Sequence, residues 1–314
     1  MLTRRHIRVK VMQSLYSIGQ TQSDNLDKEE KFLLFSIEQM YDLFLINLQL
    51  LVEIRKHAAD FLTKSQKKYL ATSEEKNPNT KFINNEVLLF LEKNLQLKEE
   101  IDRKKLNCWE LDSEYVSILW KAIQESELYE DYMSTKLSSF REDKDFVIDV
   151  FKEIIAPNNK LYEYIEDKNL TWLDDLPLVN TAIMKMLRKI KASHDEQKSL
   201  PKLYKDLEDK KFAVDIFRKT VLNGAEYTKE IDGKTPNWDQ DRIADLDKAI
   251  IKMAICEFIK FPSIPVKVTI NEYLEIAKEY STPKSSIFIN GILDKISKEY
   301  QESGKLNKVG RGLM

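Results

Sequence analysis

Val266-Lys267-Val268-Thr269-Ile270-Asn271-Glu272-Tyr273-Leu274-Glu275-Ile276-Ala277-Lys278, followed closely by Ser285-Ser286-Ile287-Phe288-Ile289-Asn290-Gly291-Ile292-Leu293-Asp294, reads as two capped helices in succession. Thr269 and Glu272 stand at capping-box spacing, where the hydroxyl accepts from one free amide and the carboxylate reaches back to another. Val268 and Tyr273 occupy the positions of a hydrophobic staple. Ile270, Tyr273, Leu274 and Ala277 recur at helical spacing and define a buried face. Pro283 predicts that the first helix ends near Tyr280. Thr282 then serves as a new N-cap with Pro283 at the first helical position. Phe288, Ile289, Ile292, Leu293 and Ile296 form the next apolar stripe. Gly291 inside that helix costs about 1 kcal/mol relative to Ala, which predicts close approach by a neighbouring helix. The short Ile264-to-Val268 piece after Pro262 reads as an extended connector.

Composition bounds the rest. The chain has 314 residues, 42% apolar and 32% charged, with seven glycines and eight prolines, which fits a helical protein large enough for two compact units. No run approaches the roughly 18 apolar residues of a membrane span, and a cytoplasmic location is expected. Cys108 and Cys256 make neither a disulfide framework nor a metal cluster. His6, His57 and His194 are far apart and have no metal or triad partner at motif spacing. There is no Gly-rich phosphate loop, so no cofactor is expected. With a net charge of −2, any nucleic-acid site must be a local patch and not a generally basic surface.

Nearly every segment has helical period. Ile7, Val11, Leu15 and Ile18 form one stripe. Residues 30–63, 85–107 and 112–139 read as further helices, with a loop at Lys76-Asn77-Pro78-Asn79-Thr80. The chain also repeats itself. Glu142-Asp143-Lys144-Asp145-Phe146-Val147-Ile148-Asp149-Val150-Phe151-Lys152 matches Glu208-Asp209-Lys210-Lys211-Phe212-Ala213-Val214-Asp215-Ile216-Phe217-Arg218, and Trp172 and Trp238 keep the same offset. After one inserted position, Ile183, Lys185 and Met186 match Ile250, Lys252 and Met253. Residues 142–190 therefore read as a duplicate of 208–257, a helical unit of about 50 residues; chance similarity between charged helices is the competing explanation.

The first 23 residues contain no Asp or Glu but carry Arg4, Arg5, His6, Arg8 and Lys10. With Thr3 as N-cap, these cations lie in the first turns, where the helix macrodipole favours anions instead. An anionic ligand there gains from both the guanidinium groups and the free amides. Such a cluster suits successive phosphates of a single strand, with guanidinium planes stacking on bases. Three or four contacts predict a salt slope of about −2 to −3. A mitochondrial presequence shares this composition, and an incidental basic helix end is the plainer alternative.

Thr3-Arg4-Arg5-His6-Ile7-Arg8-Val9-Lys10-Val11-Met12-Gln13-Ser14-Leu15-Tyr16 is similar to the opening helix of the NusB transcription antitermination family, with its arginine-rich motif and Leu-Tyr pair. Trp238, Arg242, Asp247-Lys248-Ala249-Ile250-Ile251 and Cys256-Glu257-Phe258 resemble that family's central helix. Pro265 to Ala277 and Phe288 to Asp294 resemble its closing hairpin. Both ends in family order weigh against the presequence. The resemblance covers about residues 1–22 and 208–298. It implies an all-α fold, a NusB-like helical bundle with a large inserted, partly duplicated helical region. It divides the chain into a core of residues 1–22 plus 201–300, an additional region at 23–200, and a basic, disordered tail at 301–314 carrying Lys305, Lys308 and Arg311. It further implies a non-enzymatic protein that binds single-stranded boxA-type RNA of ribosomal transcripts with ribosomal protein S10 (NusE), within the RNA polymerase antitermination complex. Carried over, Arg4, Arg5 and Arg8 match the arginine motif, with Lys10 beside them, and Phe288 matches an aromatic position near RNA. Lys284 opens the same helix, and Asp247 falls at a contact region. Trp238 offers an indole face for stacking, although its counterpart Trp172 argues for a structural role.

This chain departs from the family in length, in the residues intervening after the first helix, and in His6 within the arginine run. A helical protein-interaction scaffold without specific RNA binding remains an alternative. The RNA-binding part of a ribosomal RNA methyltransferase system fits poorly, since no strand, Gly-rich loop and helix pattern is present.

Overall fold

The structure, a computed structural model, describes residues 1–67, 72, 76–194, 197–234 and 243–313. Among the described residues there are fifteen α-helices and no strand. In chain order these begin with α1 (Arg4–Thr21), α2 (Leu26–Gln66), α3 (Glu86–Lys93), α4 (Leu95–Lys104), α5 (Cys108–Leu111), α6 (Ser113–Gln124), α7 (Glu127–Met133) and α8 (Phe140–Val150). A π turn, Phe151–Ile155, extends α8. Then follow α9 (Asn159–Lys168), α10 (Leu176–Lys189), α11 (Leu207–Leu222), α12 (Gly224–Asp232), α13 (Asp245–Lys260), α14 (Val266–Tyr280) and α15 (Pro283–Glu302). No helix among the described residues is long and apolar enough to cross a membrane.

The chain divides into two compact units, one of residues 1–37 and 203–314, the other of residues 38–202; the division falls inside α2. In the first unit α13 is central and packs against α1, α11, α12, α14 and α15. Its sequence explains this. Ala249, Ile250, Ile251, Met253, Ala254, Ile255, Cys256 and Phe258 are all buried, so the helix is apolar nearly all round, the signature of a core helix. Arg8 of α1 meets Glu257 near the end of α13, while Gln20 meets Asp245 at its start, so the two helices run antiparallel.

The second unit packs α3 and α10 on α8. Two indoles fix its part of α2: Trp109 donates to the carbonyl of Ile46 at 2.8 Å and Trp172 to that of Gln39 at 2.9 Å. The segment read as one helix over 85–107 is two, because the buried Asn94 side chain accepts from Leu97 N–H and starts α4 afresh. The segment at 112–139 breaks for the same reason at Ser126, which accepts from Tyr129 N–H.

The closing hairpin corrects four expectations. α14 begins at Val266 with Pro265 as N-cap, so the extended connector is one residue of cap and the start of a helix. Thr269 consequently lies inside the helix and is fully buried, making no capping box. Val268 is 44% exposed and makes no staple with the buried Tyr273. Thr282 does cap α15, accepting from Ser285 N–H at 3.3 Å, and α14 ends at Tyr280 as Pro283 requires. Gly291 faces open space: a Cβ there would meet nothing within 4 Å.

Residues 305–313, expected to be disordered, lie back on the end of α13. The last carbonyls of a helix lack intrahelical donors. Here the Lys308 ammonium supplies them, donating to Glu257 O at 3.2 Å and Phe261 O at 3.0 Å. Val309 N–H bonds Pro262 O at 3.0 Å, and Gly312 passes so close that any Cβ would overlap that carbonyl oxygen. Burial pulls the Lys308 pKa down to about 8.

Because Gly291 carries the helical entropy cost with no close contact to justify it, Gly291→Ala is expected to stabilise the protein by about 0.5–1 kcal/mol, read as a raised Tm in thermal denaturation. A lower Tm would show that the position is constrained after all.

Candidate nucleic-acid interface

The three arginines of α1 have different fates. Arg8 is buried, its side chain only 3% exposed, and forms a two-point bond with the fully buried Glu257: Nε to Oε2 and Nη2 to Oε1, both 2.8 Å. Thr269 Oγ1 donates to Glu257 Oε1 at 2.7 Å and Tyr273 OH to Oε2 at 3.2 Å, so the carboxylate lacks nothing. The guanidinium also lies over the rings of Phe212 and Tyr273, at 5.1 and 5.7 Å. Burial works against the Arg8 charge, but the adjacent Glu257 carboxylate outweighs it and holds the group more firmly protonated. Burial and that same carboxylate push the Tyr273 hydroxyl well above its ordinary pKa. Arg8 is therefore a structural centre and is withdrawn from any phosphate, contrary to its assignment from sequence.

Arg4 and Arg5 remain at the rim, about 40% exposed. Arg5 grips Glu272 with Nε and Nη2, at 3.0 and 2.8 Å. Arg4 Nε donates to Asp209 at 3.0 Å, with Glu208 at 3.9 Å and the Phe212 ring 5.1 Å away. The bond from Arg5 holds the Glu272 carboxyl below its usual range. Both arginines line a depression of about 740 Å³, shared with His6, the buried Arg8, Ile264, Pro265, Val268 and Glu272. Thr3 N–H donates to His6 Nδ1 at 3.2 Å at the mouth of α1.

Lys10 is buried, 3% exposed, which removes it as a surface cation. Asp247 is also buried and accepts from Ser281 Oγ at 2.7 Å, so it ties α13 to the turn before α15 and does not face a ligand. Ser281 in turn bonds Ser285, two residues from the start of α15. That tie positions the exposed Lys284 and the partly exposed Phe288 at the opening of α15. Trp238 lies outside the described residues, as does Arg242.

The sequence-derived residues thus fall into two groups and not one. Arg4, Arg5 and Arg8 gather at the C-terminal end of α13, near Glu257. Asp247, Lys284 and Phe288 gather toward its N-terminal end. Ten residues of helix separate Asp247 from Glu257, about 15 Å at the helical rise. At the second end the structure adds residues not chosen from sequence. Tyr16 is 41% exposed and lines a cavity of about 350 Å³ with Gly19, Thr220, Asp245, Lys248 and Lys252. Burial, with the neighbouring Lys248 charge, lowers the Lys252 pKa. An anion there would relieve the repulsion between the two lysines. The signal was present in the Leu15-Tyr16 pair and in the i, i+4 spacing of Lys248 and Lys252, but it needed α1 antiparallel to α13 to become a cluster.

Comparison with known proteins bears on this same region. The family model described as NusB family matches residues 178–298. The transcription antitermination protein NusB of Salinibacter ruber is 41% identical over 112 residues, 36% of this chain and 70% of that protein. The chain belongs to the NusB family. The protein of the same name from Koribacter versatilis is 40% identical over 103 residues, 32% of this chain and 70% of its own length. That of Chloroherpeton thalassium is 41% identical over 109 residues, 35% of this chain and 52% of its own. No solved structure matches this chain. The all-α NusB fold and antitermination family read from sequence are those the comparisons return.

Removing one partner of a buried pair strands the other charge. Glu257→Ala and Arg8→Ala are therefore each expected to cost about 3–5 kcal/mol, measured by chemical denaturation; a loss under 1 kcal/mol would contradict the assigned role. The Glu272 carboxyl titrates lower when folded than when unfolded, so its contribution is full above the unfolded value near 4.5 and is lost as pH falls through the folded one. Glu272→Gln should flatten that acid-side slope of stability, and an unchanged slope would refute it.

Proposed function

We propose that this NusB-family chain binds single-stranded boxA-type RNA of nascent ribosomal RNA transcripts, together with ribosomal protein S10 (NusE), and so serves an RNA polymerase antitermination complex. The observation that carries the reading is the pair of half-exposed guanidinium groups over the depression at the start of α1. The second cluster supports it: Tyr16 offers a stacking face, Lys248 and Lys252 offer phosphate contacts, and Lys284 and Phe288 open α15. Phosphates attract local positive charge. The first unit's residues carry 25 Lys and Arg against 22 Asp and Glu, while the second's carry 25 against 30, which favours the first unit as the RNA-binding one. The boxA preference and the S10 partner are what NusB-family membership implies for this chain.

The test is titration of labelled single-stranded ribosomal leader RNA with the protein, with and without S10, at two salt concentrations. Tightening by S10 is expected; indifference to S10 would leave only general RNA affinity. Arg4→Ala with Arg5→Ala is expected to weaken binding at least tenfold. Lys248→Ala with Lys252→Ala is expected to reduce the salt slope by about 1 to 1.5, at roughly 0.7 per phosphate contact. Unchanged affinity in both double variants would refute the interface.

A further inference from the structure

We infer that Glu272 and Asp209 are resident competitors for the RNA-binding arginines, so that they set the affinity of the site. This rests on the reading that Arg4 and Arg5 contact RNA. A guanidinium presents five N–H donors in a fixed fork. Arg5 commits Nε and Nη2, its best two-point edge, to Glu272, and Arg4 commits Nε to Asp209 with Glu208 close behind. A phosphate seeking the same edge must displace a carboxylate, and a nearby fixed negative charge repels the strand as it approaches. Glu272 is not required to satisfy the core. Glu257 already has Arg8, Thr269 and Tyr273, while Glu272 reaches Arg8 only at 3.7 Å.

On the full-length protein with labelled leader RNA, Glu272→Gln is expected to lower Kd at least threefold and to steepen the salt slope by about 0.7, one added phosphate contact. Adding Arg5→Ala should abolish that gain. Asp209→Asn makes the same prediction through Arg4 from a different helix, and decides the matter should Glu272→Gln fail to fold. Unchanged or weaker binding by a folded variant overturns the inference, because the acids would then orient the arginines. Arg4→Ala with Arg5→Ala separates the two levels. No loss of affinity there refutes the RNA site itself; loss there without tightening in the acid variants refutes only the competition.

Discussion

A charge withdrawn from water must meet its opposite in good geometry, and in this chain that requirement fixes the first unit around Arg8 and Glu257. The pair joins the second turn of α1 to the last turn of α13, residues 249 positions apart in sequence. Thr269 and Tyr273 close the remaining lone pairs and draw α14 in against both. Three helices therefore share one carboxylate. An apolar core tolerates small slides between helices, but a two-point guanidinium bond does not. The register of α1 on α13 sets where Arg4 and Arg5 emerge at one end and Tyr16 at the other.

The lysine strap follows from the same helix end. Once Glu257 is committed through its side chain, its carbonyl and that of Phe261 still need donors at the C-terminus of α13. Lys308 reaches both, and Gly312 lets the backbone close over Pro262. The turn that follows contributes Ile264 and Pro265 to the wall of the arginine depression. One wall of the candidate site is thus braced by residues that composition alone marks as a basic tail.

Apolar periodicity made most of the helices legible, along with the α15 cap at Thr282 and the end of α14 at Tyr280. What it obscured has a common cause: polar groups whose partners are distant in sequence. Thr269 and Glu272 have the spacing of a local capping box, yet tertiary partners hold both, Glu257 the one and Arg5 the other. Asn94 and Ser126 break helices through caps that leave the apolar period almost undisturbed. Arg8 and Lys10 looked like surface cations because charge is normally exposed, and only the position of Glu257 reveals where Arg8 goes. Gly291 misled in the opposite way, since a glycine in a helix suggests a close neighbour and here there is none.

Cations in the first turn of α1 oppose the helix macrodipole, and something must compensate them. From sequence an anionic ligand fills that role; in the structure the protein's own carboxylates do, Asp209 from α11 and Glu272 from α14. The two answers differ in what they imply for binding. Arginines awaiting a ligand would destabilise the free protein and release that strain on contact. Arginines already paired make the free protein stable and leave a phosphate only the difference between two similar bonds. A site built this way gains little from any single contact, so discrimination must come from several contacts made together. On the proposed reading, the roughly 15 Å of helix between Asp247 and Glu257 leaves room for that only along a strand that spans both clusters.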